Sequence, residues 1–175
     1  MNHISIKKIK PEDVRDLSII SKTTFLETYA DNNTKEDMKE YIEENFSLNK
    51  LFPELIDENS EFYFAVFDNN IAGYLKLNFG VSQTEIKESN SLEIERIYVL
   101  KEFQGKKIGQ LFYETAIQVA KQKGIDYIWL GVWEKNLKAI GFYKKNGFFE
   151  FDKHIFKLGN DKQTDILMKL ILKDN

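Results

Sequence analysis

A chain of 175 residues that is 42% apolar, with 14 Phe and 8 Tyr, can bury one sizeable core, and this composition argues against a second domain and against disorder. With 25 basic and 28 acidic side chains the net charge is only −3, which gives no broad electrostatic support for nucleic acid binding. Cysteine is absent, which removes disulfides, thiol nucleophiles and cysteine-based metal sites; with no apolar run of signal-peptide or membrane-spanning length either, the expected location is the cytoplasm, away from membranes.

Ile4, Ile6 and Ile9 predict a first strand ended by Pro11, and Glu12 and Asp13 favour a helix N-terminus after it. That helix should reach about Tyr29, with Val14, Leu17, Ile20 and Phe25 near one face. Asn33 and Thr34 can cap a second helix carrying Met38, Tyr41, Ile42 and Phe46 inward, and a short helix is expected around residues 51–56, after Pro53. Two apolar runs then flank Asn69 and Asn70, a hairpin turn, and residues 80–90 read as a polar, mobile loop. Residues 92–99 alternate without Pro or Gly, as a strand does; Gln104, Gly105, Lys106, Lys107, Ile108 and Gly109 make a turn, and a helix with Leu111, Phe112, Ala116, Val119 and Ala120 inward follows to Gly124. The almost wholly apolar run 125–133 predicts a central strand, parallel to 92–99 through a right-handed crossover. A helix over 136–145 and two closing strands, 148–156 and 164–172 with Gly159 and Asn160 between them, complete the α/β expectation: one domain spanning residues 1–175, with a mixed sheet of about seven strands flanked by helices.

The turn at 104–109 aims a helix N-terminus, with its free N–H groups and positive dipole end, at a glycine-bearing loop that carries two lysines. That arrangement suits an anion, most naturally phosphate. It is neither GxxxxGK[ST] nor GxGxxG with a following acid, which disfavours nucleoside triphosphatases and dinucleotide dehydrogenases. The run resembles the (Arg/Gln)-x-x-Gly-x-(Gly/Ala) signature of the GCN5-related N-acetyltransferases, with Gln104 and Gly109 matching and Lys107 in the place of the middle glycine. A lysine amide suits that position when its φ is negative. Asn136, Ala139, Phe142, Tyr143, Lys145, Gly147 and Phe148 resemble the family's N-x-x-A-x-x-F-Y-x-K-x-G-F segment. Through LEIERIYV and FDKHIFKLG the chain is most similar to the bacterial spermine/spermidine acetyltransferase branch.

The resemblance implies an acetyl-CoA-dependent N-acetyltransferase. Its pyrophosphate would lie on Gln104–Gly109, its pantetheine arm in a slot between splayed strands 92–99 and 125–133, and its arm would meet Asn136, with a phosphate contact open to Lys145. The backbone of Ile97, Tyr98 and Val99 would serve the oxyanion. Transfer needs a neutral amine, and an alkyl amine with pKa near 10.4 is only about 0.04% neutral at pH 7, a deficit of roughly 4.6 kcal/mol. A base is therefore needed, and an acid for the departing thiolate. By resemblance Tyr143 is the acid. Glu93 and Glu95 share one strand face by alternation; the family implies Glu95 as base, with Glu93 the alternative, although pairing with Arg96 or a lysine also accounts for them. His3 and His154 are too isolated for a metal site and take no role.

Residues 27–61 hold eleven acids against three lysines, a local charge of −8. In the family the first two helices wall the acceptor cleft, and an acidic wall would draw a polycation such as spermidine or spermine. The main expectation is therefore acetylation of a small polyamine by direct transfer in a ternary complex. The alternatives are a protein lysine, a protein N-terminus or another small amine as acceptor, or a CoA-binding sensor without turnover. The family often dimerises, and Phe151 or Phe156 could serve an interface.

Overall fold

The computed structural model describes residues 3–173. The Ile4 and Ile6 run forms β1 (Ile4–Lys8), and a 3-10 turn at Pro11–Asp13 leads into α1 (Val14–Tyr29). Thr34 accepts the Asp37 amide at 3.1 Å and opens α2 (Lys35–Phe46), whereas Asn33 closes α1 by donating its side-chain amide to the Tyr29 carbonyl at 2.8 Å. The next helix, α3 (Leu48–Leu55), begins before Pro53 and runs through it. Its start is fixed at the Ser47 carbonyl, which accepts from Lys50 and Leu51, and the proline costs it one internal bond.

A hairpin of β2 (Ser60–Phe67) and β3 (Asn70–Phe79) follows. Its turn lies one residue earlier than Asn69 and Asn70: Asp68 and Asn69 both have positive φ, as a tight hairpin requires and as Asp and Asn tolerate. Then come β4 (Ser91–Val99), α4 (Ile108–Gln122), β5 (Tyr127–Trp133), α5 (Leu137–Lys145), β6 (Phe149–Leu158) and β7 (Asp161–Ile171). The seven strands form one sheet in the order β1-β2-β3-β4-β5-β7-β6, in which β4 and β5 are parallel and the other pairs antiparallel. α4 and α5 cover one face, burying Phe112, Ala116, Ile128 and Tyr143; α1, α2 and α3 cover the other, burying Leu17, Phe25, Phe46, Phe62 and Tyr74.

Residues 80–90 are not the loose loop expected from their polarity. Gln83 is buried, and its Oε1 accepts from Trp129 Nε1 at 2.7 Å and from Ser91 Oγ at 2.9 Å. Thr84 gives its amide and its hydroxyl to Glu93 at 2.8 and 2.6 Å. The segment is anchored because its side chains satisfy polar groups buried in the sheet.

Three features position the site. First, β4 and β5 pair only from Ser91, Leu92 and Glu93 to Tyr127, Ile128 and Trp129; beyond Glu93 they part, giving the slot expected by family likeness. Second, β3 Lys76 faces Arg96 while Leu77 faces Ile94, so Glu95 is the extra residue of a β-bulge. The bulge sends the consecutive side chains of Glu95 and Arg96 to the α1–α3 face, where Glu93 also points: Asn78 Nδ2 donates to Glu93 at 3.0 Å and to Glu95 at 2.6 Å. Third, the β6–β7 tip docks on α2. The Asn160 amide donates to Asp37 Oδ1 at 3.1 Å, and Gly159, at φ +59°, passes so close that a Cβ there would lie 2.1 Å from that oxygen.

Candidate active site

A cavity of about 870 Å³ follows the slot through the sheet. Its ends differ in chemistry. At one end the loop before α4 turns through Gly105 at φ +78° and Lys107 at φ +65°. The negative φ that would suit a lysine amide at the middle-glycine position is thus not adopted; Lys107 takes the left-handed conformation itself, at a cost of roughly 1–2 kcal/mol. The turn leaves the first amides of α4, at Ile108, Gly109 and Gln110, without intrahelical partners and facing the cavity. Gln104 braces the loop, donating from Nε2 to the Val99 carbonyl at 3.2 Å and accepting from Lys138 at 3.1 Å. Lys107, Lys138 and Lys145 line this end with no carboxylate beside them among its described lining residues. The Lys106 side chain lies over the Phe67 ring, 4.9 Å from its centroid, outside the cavity.

Along the slot, Ile97, Tyr98 and Val99 form one wall and α5 the other. Asn136 accepts the Ala139 amide at 3.1 Å as the cap of α5 and lines the cavity as well. Tyr143 is buried, its ring held 5.5 Å from those of Phe142 and Phe148. Burial, then the nearby Tyr29, raises its pKa, so the phenol keeps its proton at neutral pH.

The other end is aromatic and acidic. Tyr29 stands 5.7 Å from Trp133 and 6.5 Å from Phe156, and Tyr41 stacks on Phe25 at 4.5 Å. Phe156 is therefore a wall of the cleft, occupied internally, where sequence suggested a free interface residue. None of the eleven acids of residues 27–61 lines the cavity. Glu27 accepts the Lys101 amide at 2.9 Å, Glu54 pairs with Lys76 at 2.8 Å and Arg96 at 3.2 Å, and Glu36, Glu40, Glu43 and Glu44 sit on the outer side of α2. The acidic wall is an aromatic one, because the amphipathic helices turn their charges to solvent.

The cavity's own carboxylates are Glu93, Glu95 and Asp165. Glu95 meets Lys76 Nζ at 2.5 Å and Arg96 Nη2 at 3.3 Å. Burial works to raise its pKa, but the two cations and its hydrogen bonds prevail and hold it at about 2. Glu93 is 3% exposed, and burial raises its pKa against the bonds from Thr84 and Asn78. Asp165 is pushed up to about 6 by burial, with His154 opposing and Glu85 adding to the rise. His154 Nδ1 lies against the Glu85 carboxylate.

Residues 22–148 match the Acetyltransferase (GNAT) family. The chain belongs to that family. It is 38% identical, over 98% of its length and 99% of the relative's, to the "Uncharacterized N-acetyltransferase in pepI 3'region" of Lactobacillus delbrueckii subsp. lactis. Over 83% of its length it is 30% identical to a spermidine N(1)-acetyltransferase of Thermoplasma acidophilum, covering 88% of that protein. The PaiA N-acetyltransferase of Thermoplasma acidophilum, solved in complex with coenzyme A, superposes with a TM-score of 0.80 at 27% identity, covering 97% of this chain and 99% of that one. As a GNAT N-acetyltransferase the protein takes acetyl-CoA as cosubstrate, and the slot, the α4 amides and the three lysines fit that molecule's arm and phosphates.

Among the described residues there is no cluster of three or more His, Asp or Glu able to hold a metal, and no helix long and apolar enough to cross a membrane. Sequence reasoning brought together Gln104, Gly105, Lys107, Ile108, Gly109, Tyr143, Asn136, Lys145 and the β4 glutamates, all of which line one cavity, whereas Lys106, the remaining loop residue it named, does not. The cavity is also lined by His154, which sequence reasoning gave no role, and by Asp165, Tyr29 and Trp133, which it did not place at a site. Two signals were available: an acid within the apolar alternation of 164–168, and Gly131 in an otherwise bulky strand, which marks a close approach.

Proposed function

We propose that the enzyme acetylates a primary amine of a linear polyamine such as spermidine or spermine, by direct transfer in a ternary complex. The observation that carries this reading is the division of the cavity: lysines and helix amides at the cofactor end, aromatic rings and carboxylates at the other. Methylene segments suit the rings of Tyr29, Trp133 and Phe156, and ammonium groups gain from aromatic faces and nearby carboxylates. The similarity to a spermidine N(1)-acetyltransferase supports the same acceptor class.

Acetyl-CoA supplies the acetyl thioester, whose carbonyl carbon the amine attacks. The Ile97, Tyr98 and Val99 stretch, unpaired with β5, offers backbone donors toward the oxyanion. Tyr143 holds the proton for the departing sulfur, and Asn136 and Lys145 bind the arm and phosphates. A cytoplasmic homodimer completes the proposal; exposed Phe149 and Ile155 on the edge strand β6 offer an apolar surface. The test is CoA thiol release with spermidine, spermine and a lysine-bearing peptide. The expected result is a kcat/KM at least about tenfold higher for the polyamines, a difference of roughly 1.4 kcal/mol; preference for the peptide would overturn the polyamine acceptor.

A further inference from the structure

An ammonium substrate needs a proton acceptor that it can touch and that no cation already holds. The β4 glutamates do not qualify. Glu95 is clasped by Lys76 and Arg96, and Glu93 is sealed by three hydrogen bonds from Thr84 and Asn78. Asp165 differs on both counts. It lines the cavity, and among the described residues no lysine or arginine pairs with it.

Its position follows from the sheet register. On β7 it stands opposite Trp133 of β5 on one side and His154 of β6 on the other. Its Oδ2 lies 3.4 Å from where a Cβ on Gly131 would stand, so the carboxylate rests over bare β5 backbone just past the point where β4 and β5 part. Trp133, its cross-strand neighbour, meets Tyr29 of α1, which puts Asp165 on the aromatic face; Tyr143 belongs to the core under α4 and α5, on the opposite face. A thioester in the slot then has a carboxylate on the side from which the amine arrives and a phenol on the other.

We propose that Asp165 is the catalytic base that takes the ammonium proton of the acceptor, with His154, held by Glu85, as its positioning partner. The assignment rests on the amine-acceptor reading above but not on the polyamine. One proton passes from nitrogen to Asp165 and on to solvent. The freed lone pair forms the N–C bond, the C–S bond breaks with its electrons going to sulfur, Tyr143 protonates that sulfur, and the second nitrogen proton restores Tyr143. The products are the acetamide, CoA thiol and one proton. The charged and titratable groups around Asp165 are Tyr29 on α1, Glu85 before β4, Glu93 and Glu95 on β4, and His154 on β6. Its raised proton affinity, near 6, suits the task better than the value near 2 at Glu95.

The experiment compares wild type, Asp165→Asn and His154→Gln on a panel of spermidine, spermine, simple alkyl amines and a lysine peptide from pH 5 to 10. Wild-type kcat/KM should rise through a limb near pH 6. Asp165→Asn should bind acetyl-CoA as wild type does by calorimetry, lose about 10²–10³-fold in kcat at pH 7, lose the limb, and recover toward pH 10 as the amine deprotonates unaided. His154→Gln should move the limb upward, since His154 lowers the Asp165 pKa, and so lower kcat/KM at pH 6 to 7 while converging with wild type at higher pH. Carboxyl ¹³C NMR of the wild-type protein gives a readout without turnover: an aspartate signal titrating near 6 that is missing in Asp165→Asn. Wild-type kcat with an intact limb in Asp165→Asn overturns the assignment, as does a limb unmoved in His154→Gln. Turnover only with a non-polyamine removes the polyamine and leaves Asp165 in place; silence with every amine overturns both.

Discussion

The two ends of the cavity are built in opposite ways. The cofactor end comes from two short stretches, residues 97–109 and 136–145, and much of what it offers is backbone: helix-start amides, a left-handed turn and a strand released from its neighbour. The acceptor end is assembled from α1, α2, β4, β5, β6, β7 and the segment before β4, and it works through side chains. A phosphate-bearing cosubstrate common to a family is met by main-chain geometry, which tolerates sequence change. An acceptor is met by side chains that any substitution can alter.

Variants should therefore separate the two ends. The largest effect expected is Tyr143→Phe, which in the proposed mechanism removes the proton for sulfur and should lower kcat by about 10²–10⁴-fold with both KM values little changed, read by steady-state kinetics. Next is Lys76→Met, which removes one of the two buried cations shared by Glu95 and Glu54 and leaves Arg96 between them. It should cost about 1–3 kcal/mol in urea unfolding, below the cost of a fully unpaired buried charge because Arg96 still meets both carboxylates. The sign of the accompanying pH effect follows from Glu95: held near 2 against an ordinary 4.5, it contributes stability that is fully present above pH 4.5 and is lost as pH falls toward 2. Acid unfolding of Lys76→Met should accordingly be flatter across that window.

A smaller and more selective change is Trp133→Leu. It should raise KM for the amine about 5–30-fold, the worth of roughly 1–2 kcal/mol of ring contact, and leave KM for acetyl-CoA in place. The smallest is Lys107→Gly. Relief of the left-handed lysine and the added freedom of the unfolded chain offset one another to within about 1 kcal/mol, so thermal stability should barely move. Loss of the lysine charge should show as weaker acetyl-CoA binding at low salt that converges with wild type as salt is raised.

The same division explains what could be read in the sequence. Alternation and apolar runs gave the strands, capping gave Thr34, and resemblance in the loop motif and around Tyr143 pointed to the proposed cofactor end, because each is decided within a few residues of chain. The β4 glutamates were placed on the correct face by periodicity, yet their chemistry was not legible. Whether Glu95 is a free base or an ion-paired strut depends on Lys76, Arg96 and Glu54, and the bulge that puts Arg96 beside it is set by pairing with β3. The acidic count over 27–61 misled for a related reason: composition carries no direction, and the helices turn those acids away from the cleft. The polarity of 80–90 misled too, since Gln83 and Thr84 are polar in order to satisfy buried partners.

The docking of the β6–β7 tip on α2 has a consequence in time. Asn160 to Asp37 spans 123 residues and Gln163 to Asn33 spans 130, whereas the Gln104 to Val99 bond and the backbone bonds at Phe103, Gln104 and Leu111 close over five residues or fewer, and the Lys138 to Gln104 brace spans 34. Ends so far apart in sequence can meet only after the intervening sheet has ordered, and contacts of that separation slow a folding reaction. The glycine-bearing loop before α4 can form early and locally; the aromatic end of the cavity does not exist until the last hairpin has closed over the second helix.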